Sequence, residues 1–179
     1  MEKLQFLSYV RIDGIPTIRN TQIRDIYNRC VETGIADMLF HDGSINDSED
    51  FLQHVTRADV IFTLIFVPGE NEPMGFFWLN RLERTHAYCH FAAFPEYWGK
   101  PVTVKAGQQA MDWCLHTFHT IMGMVPISNK YAIDYLYRVG LKDVGDIPNL
   151  IWSAKEEKPV TGKLMYITRE ALNESIHKD

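Results

Sequence analysis

The residues best placed to do chemistry lie between His86 and His119, in the stretch HAYCHFAAFPEYWGKPVTVKAGQQAMDWCLHTFH. Its first part reads as a strand, Pro95–Gly99 as a turn, and the part from Lys100-Pro101 as a long amphipathic helix. A strand feeding straight into a helix N-terminus is a common way to hold a phosphate, because the helix leaves its first backbone N–H groups without internal partners. The histidines suggest less. His86 and His90 are four apart, but an extended strand separates them by roughly 13 Å, too far to share a metal. His116 and His119 are three apart on the expected helix and within reach of one ion. Two solvated histidines on an exposed helix end are the plainer reading, so no metal is expected. The sequence has no GxxxxGK[ST], GxGxxG or GxSxG motif, which leaves nucleotide-loop and hydrolase-elbow chemistry without an anchor.

The elements that must position this stretch follow from periodicity and turn signals. Leu4–Ile12 is rich in β-formers and ends at Asp13-Gly14. Thr21–Thr33 carries Ile23, Ile26, Tyr27, Cys30 and Val31 at helical spacing and stops at Gly34. Met38–Phe40 is a short apolar patch. Ser48 offers an N-cap to a helix with Phe51, Leu52 and Val55. Asp59–Val67, Met74–Leu82 and His86–Phe94 read as a three-strand meander, with turns at Pro68–Asn71 and Glu83–Thr85. The helix after Pro101 places Gly107, Ala110, Met111, Cys114 and Phe118 on one face. Ile121–Val125 reads as a strand parallel to its predecessor, because a helical crossover separates the two. Ser128 or Asn129 caps a helix with Ala132, Ile133, Leu136 and Val139 inward and Gly140 at its end. Leu150–Ala154 and Leu164–Thr168 are two further strands, and a polar helix starts at Arg169.

Composition narrows the class. Apolar residues make up 46% and charged residues 23% of 179 positions, values ordinary for one globular domain over residues 1–179. A formal net charge of −5 argues against nucleic acid or an anionic membrane as partner. Cys30, Cys89 and Cys114 form no CxxC pair, as expected for reduced thiols in the cytoplasm. No signal-peptide h-region is visible, and the longest apolar run, Val60–Val67, is too short to span a bilayer.

Three patterns in this order carry a resemblance. They are Pro95-Glu96-Tyr97-Trp98-Gly99-Lys100, a crossover strand ending in Val125-Pro126, and Asn129-x-x-Ala132-Ile133 with Gly140-Leu141 eleven and twelve residues on. Together they resemble the GNAT superfamily of acyl-CoA-dependent N-acetyltransferases, over about residues 55–145, most closely the branch of ribosomal-protein N-terminal acetyltransferases. The resemblance implies an α/β (α+β) fold, with a mixed, mostly antiparallel twisted sheet of about six to seven strands and about four flanking helices. It implies acetyl-CoA as co-substrate, with the pyrophosphate on Trp98, Gly99, Lys100, Pro101, Val102 and Thr103. The pantetheine arm would run along Phe91, Ala92, Ala93 and Phe94, with Asn129 against the cofactor arm.

Two departures bear on activity. Pro101 stands where the family usually has glycine, and proline has no N–H to give. Thr103 replaces a small residue and offers a hydroxyl in return. The tyrosine that often protonates the departing thiolate is replaced by Leu136, with Tyr135 and Tyr137 about 100° to either side. These two remain candidates for that role or for packing. An amine near pKa 10 needs a base. Within the corresponding region His90 is favoured over Glu83, a structural histidine being the other reading, and strand adjacency would put Trp78, Asn80 and Arg81 on the acceptor side. The implied reaction is acetyl transfer to a primary amine by direct attack. The alternative is a GNAT-fold protein without catalysis, acting as a CoA-binding or assembly module. An N-terminal α-amine, a lysine, a small amine and an amino sugar all stay open as acceptors, and so does a homodimer built on the aromatic-rich meander.

Overall fold

Aromatic residues at alternating strand positions and one helix face fix the core of the first half of the chain. The computed structural model describes residues 3–177, and these divide into two compact units. The first comprises the chain up to Asn80 together with His90–Trp98. It contains β1 (Gln5–Ser8), the hairpin β2 (Arg11–Ile12) and β3 (Ile15–Pro16), and helices α1 (Asn20–Glu32), α2 (Ala36–Leu39) and α3 (Ser48–Val55). Strands β4 (Ile61–Phe66) and β5 (Gly75–Asn80) follow, then the end of β6 (His86–Ala93) and a 3-10 turn at Pro95–Tyr97. Phe51 of α3 meets Phe40, Tyr27, Phe62 and Phe76 at ring-centroid distances of 5.6–6.1 Å, the separation at which aromatic rings pack favourably edge-to-face or offset.

The second unit comprises Arg81–Cys89 and the chain from Gly99 on. It holds the start of β6, α4 (Pro101–Cys114), β7 (Thr120–Pro126), α5 (Lys130–Val139), β8 (Lys142–Ser153), β9 (Lys158–Thr168) and α6 (Arg169–Ile176). β7 runs parallel to β6, with Ala87 opposite Ile121, as the helical crossover requires. β9 is antiparallel to both β7 and β8. Hydrogen-bonded neighbours follow the order β1-β4-β5-β6-β7-β9-β8, a seven-stranded sheet, with six helices in all among the described residues. The expected mixed α/β class is therefore the observed one, with more helices than the four anticipated.

Several boundaries differ for local reasons. The strand expected over Leu4–Ile12 breaks after Ser8, and Asp13-Gly14 closes a separate two-strand ribbon. Val31 is 54% exposed, because α1 buries a narrow stripe of Ile23, Ile26, Tyr27 and Cys30. Asp47, not Ser48, caps α3: its Oδ1 accepts from the N–H of Glu49 and Asp50 at 2.8 Å each. The tail strands are much longer than expected. They form one long hairpin with polar outer faces and register shifts near Gly145 and Ile147, features that hide a strand from an apolar-run reading. α4 ends at Cys114, so Phe118, His116 and His119 lie beyond it and the histidines never share a helix face. No group of three His, Cys, Asp or Glu able to hold a metal occurs among the described residues. No helix there is long and apolar enough to cross a membrane.

Candidate active site

The phosphate-type turn is built by short-range bonds. After β6, the N–H of Tyr97 donates to Phe94 O (2.9 Å) and that of Trp98 to Pro95 O (3.0 Å). Gly99 follows with φ +73°, a left-handed backbone that any L side chain adopts at a cost. Lys100 is extended, and Pro101 takes the first helical position of α4, where its fixed φ suits a helix start. The N–H of Thr103 donates back to Lys100 O at 3.1 Å. Of the expected cradle Trp98–Thr103, the N–H groups of Trp98 and Thr103 are thus already engaged, and Pro101 has none. Gly99 and Val102 carry backbone N–H groups with no protein partner among the described residues. The Thr103 side chain is only 6% exposed, on the buried face of α4. Thr103, expected to offer a hydroxyl in place of the donor lost at Pro101, is therefore a buried residue.

The strand end expected to carry the cofactor arm is tightly held. Ala92, Ala93 and Phe94 are buried and Phe91 is half-buried. Ala93 O accepts the indole Nε1–H of Trp98 at 2.7 Å, and Phe94 N–H donates to Met74 O at 3.0 Å. The Arg29 guanidinium lies 3.6 Å over the Phe94 ring, pairs with Glu96 and donates to Pro73 O at 3.0 Å. Tyr97 donates to Glu70, and burial together with that carboxylate pushes its phenol up to about 12.

In the same unit His90 lies flat against Trp78, centroids 4.6 Å apart and planes 1° from parallel, with Nε2 3.4 Å from Asn80 Oδ1. The second unit places Glu83 in the turn before β6, exposed, its N–H donating to His86 O at 2.9 Å. Arg81 lies 5.1 Å over the Tyr88 ring.

The later candidates are bonded into the scaffold. Asn129 caps α5: its Oδ1 accepts from Ala132 N–H at 3.2 Å, while its Nδ2 has no protein partner among the described residues. Asn129→Ala is expected to lower stability by about 1 kcal/mol, a fall in melting temperature of about 2–4 °C for a domain of this size. Asn129→Asp keeps the acceptor and should melt at the wild-type temperature.

Tyr135 Oη donates to Thr103 O at 3.1 Å, and burial pushes its phenol well above the ordinary tyrosine value. A side chain added at Gly107 would run into Tyr135 and Val139, so this glycine is what lets the two helices approach. Tyr137 is 45% exposed and donates to Asp143 Oδ2 at 2.8 Å. Asp143 also pairs with Lys163 at 2.7 Å. Both hydroxyls expected to serve as proton donors are therefore tied to acceptors that the sequence did not reveal. The thiols of Cys30 and Cys89 are pushed up to about 12 by burial, and that of Cys114 is also raised.

Strand order, the parallel β6–β7 step across α4 and the Asn129-capped α5 together are the fold of the GNAT N-acetyltransferases. Solved structures of such enzymes bear this out. A spermidine N-acetyltransferase from Vibrio cholerae, in complex with CoA and spermine, matches at a TM-score of 0.70 and 16% identity, over 95% of this chain and 98% of its own. A ribosomal-protein-S5-alanine acetyltransferase from Vibrio fischeri matches at 0.71 and 15%, over 95% of each chain. A point mutant of the Vibrio cholerae enzyme matches at 0.70 and 17%, over 97% of this chain and 99% of its own. No protein-family model and no curated protein match the sequence.

Proposed function

We propose that this protein is an acetyl-CoA-dependent N-acetyltransferase that transfers the acetyl group to a primary amine by direct attack. The observation that carries this reading is the turn after β6. Left-handed Gly99 leads into a proline-started helix, with the N–H groups of Gly99 and Val102 unpartnered among the described residues. Two such donors at a helix N-terminus, in the positive end of its dipole, suit an anionic pyrophosphate. The residues present therefore fit coenzyme A, with one donor fewer than a glycine at position 101 would supply. In this proposal Lys100 adds a charge-assisted contact, the Phe91–Phe94 backbone lies along the pantetheine arm, and Asn129 Nδ2 donates to it.

His90 takes the proton that holds the amine unreactive. The freed amine attacks the thioester carbonyl, polarised by backbone N–H of β6; the C–S bond breaks, and the second proton that the attacking nitrogen sheds on becoming the amide passes through water to the departing thiolate. Holding both reactants together supplies most of the acceleration. Tyr135 and Tyr137 act in this scheme through the bonds that tie α5 to α4 and to β8.

The compared enzymes act on spermidine and on a ribosomal-protein alanine, so a cationic amine is the acceptor class proposed. A cleft of about 760 Å³ bordered by Tyr27, Glu32, Asp37 and Asp47 supports it, since clustered carboxylates raise the local concentration of cations. A second reading, a CoA-binding module without turnover, draws on Pro101 and on the two engaged tyrosine hydroxyls. Thermal melting with CoA and acetyl-CoA tests the shared premise. A ligand at 100 times its Kd stabilises by about 2.7 kcal/mol, and no shift at millimolar ligand would refute both readings.

A further inference from the structure

The stack of His90 on Trp78 lies within the first unit. Trp78 is 3% exposed, stacked with Phe40 (6.2 Å, 28°) and Phe76 (6.1 Å, 18°), with the His54 ring edge-on at 6.1 Å. Its indole N–H is buried with no partner among the described residues. An interior donor left unbonded is destabilising, and phenylalanine would remove the donor while keeping a ring. What tryptophan adds at this position is its face, which attracts a cation more strongly than the face of phenylalanine or tyrosine. The group lying flat on that face is His90, a side chain that becomes a cation when it takes a proton.

We propose that Trp78 is a positioning residue for His90, fixing the plane of the imidazole and favouring its protonated form during the reaction. This rests on the reading of His90 as the base. Asn80 Oδ1 accepts from Nε2–H, so the neutral ring carries its lone pair on Nδ1. One N–H bond of the acceptor ammonium breaks, the proton binds Nδ1, and the electron pair stays on the amine nitrogen for the attack. The resulting imidazolium rests on the indole face and afterwards gives its proton to water. Titratable and charged groups approach the stack from α3 and along β6. On α3 they are His54, which burial pushes below the ordinary histidine range, and near it Arg57, Asp42 and Asp59. Along β6, strand alternation puts Tyr88 and His86 on the same face as His90.

The test follows the ring-nitrogen NMR signals of isotope-labelled His90 against pH in wild type, Trp78→Phe and Trp78→Leu, beside turnover of acetyl-CoA with spermidine as the probe amine. The titration midpoint should fall by about one pH unit in Trp78→Leu and by about half that in Trp78→Phe, with kcat lower by up to roughly tenfold and KM for acetyl-CoA unchanged. Lost packing alone would not grade the midpoint in this way. Should Trp78→Leu not fold, Trp78→Phe decides. A folded Trp78→Phe with the wild-type midpoint, beside an inactive His90→Gln, overturns the positioning role alone. Wild-type turnover in His90→Gln overturns the base reading and this proposal with it.

Discussion

Gly99→Glu is expected to abolish the rise in melting temperature that acetyl-CoA produces, while the protein without ligand still folds. Position 99 is exposed, and a Cβ there would meet no atom within 4 Å, so bulk alone does no harm. Its φ of +73° strains any L side chain by about 1–2 kcal/mol, a modest loss without ligand. The carboxylate does the damage. Two unit charges about 4 Å apart repel by about 4 kcal/mol at an effective dielectric of about 20, roughly three powers of ten in affinity. The ligand-induced shift to be lost is roughly 5–10 °C at 100 times Kd. Gly99→Ala separates the two effects, because it carries the strain without the charge and should keep most of the shift. Equal shifts in wild type and Gly99→Glu would place the pyrophosphate elsewhere.

The second large effect is on folding. Gly75 opens β5, and a Cβ there would overlap the Ala92 carbonyl oxygen and lie 3.0 Å from Ala93 Cα. Both are backbone atoms of β6, so neither can rotate away and the strands must part. Overpacking typically costs about 1–3 kcal/mol, and a backbone clash belongs at the upper end. Gly75→Ala should therefore melt roughly 6–12 °C lower and bind acetyl-CoA more weakly, since Ala92 and Ala93 belong to the proposed pantetheine segment. Gly123→Ala is the control. Its Cβ would sit 3.7 Å from Leu141 Cδ2, an ordinary contact, and alanine in a strand loses less chain entropy on folding than glycine. It should melt at or slightly above the wild-type temperature.

The parts of the fold that could be read in advance are those where local chemistry and tertiary structure agree. Pro101 opens α4, Asn129 caps α5, Gly140 ends it, and the parallel β6–β7 step follows from one helical crossover. Elsewhere long-range pairing decides. Polar β8 is a strand because β9 pairs with it along most of its length, and the break after Ser8 comes from the β2–β3 ribbon. The candidate site divides in the same way. Gly99 was recognisable from its neighbours, whereas the bond of Tyr135 to Thr103 O spans 32 positions and that of Tyr137 to Asp143 depends on where β8 begins. The bonds that engage the N–H groups of Trp98 and Thr103 depend on a 3-10 turn and a helix start realised only in three dimensions. Trp78 was legible as a strand residue, but its parallel stack on His90 was not.

The most direct test is release of free thiol from acetyl-CoA in the presence of spermidine, an N-terminal alanyl peptide, a lysine peptide and an amino sugar, with the acetylated product identified by mass. Thiol release that depends on one of these amines and disappears in Gly99→Glu is the predicted result. Tight CoA binding with no amine-dependent release from any of the four would contradict the proposed activity and leave the CoA-binding module as the account of this protein.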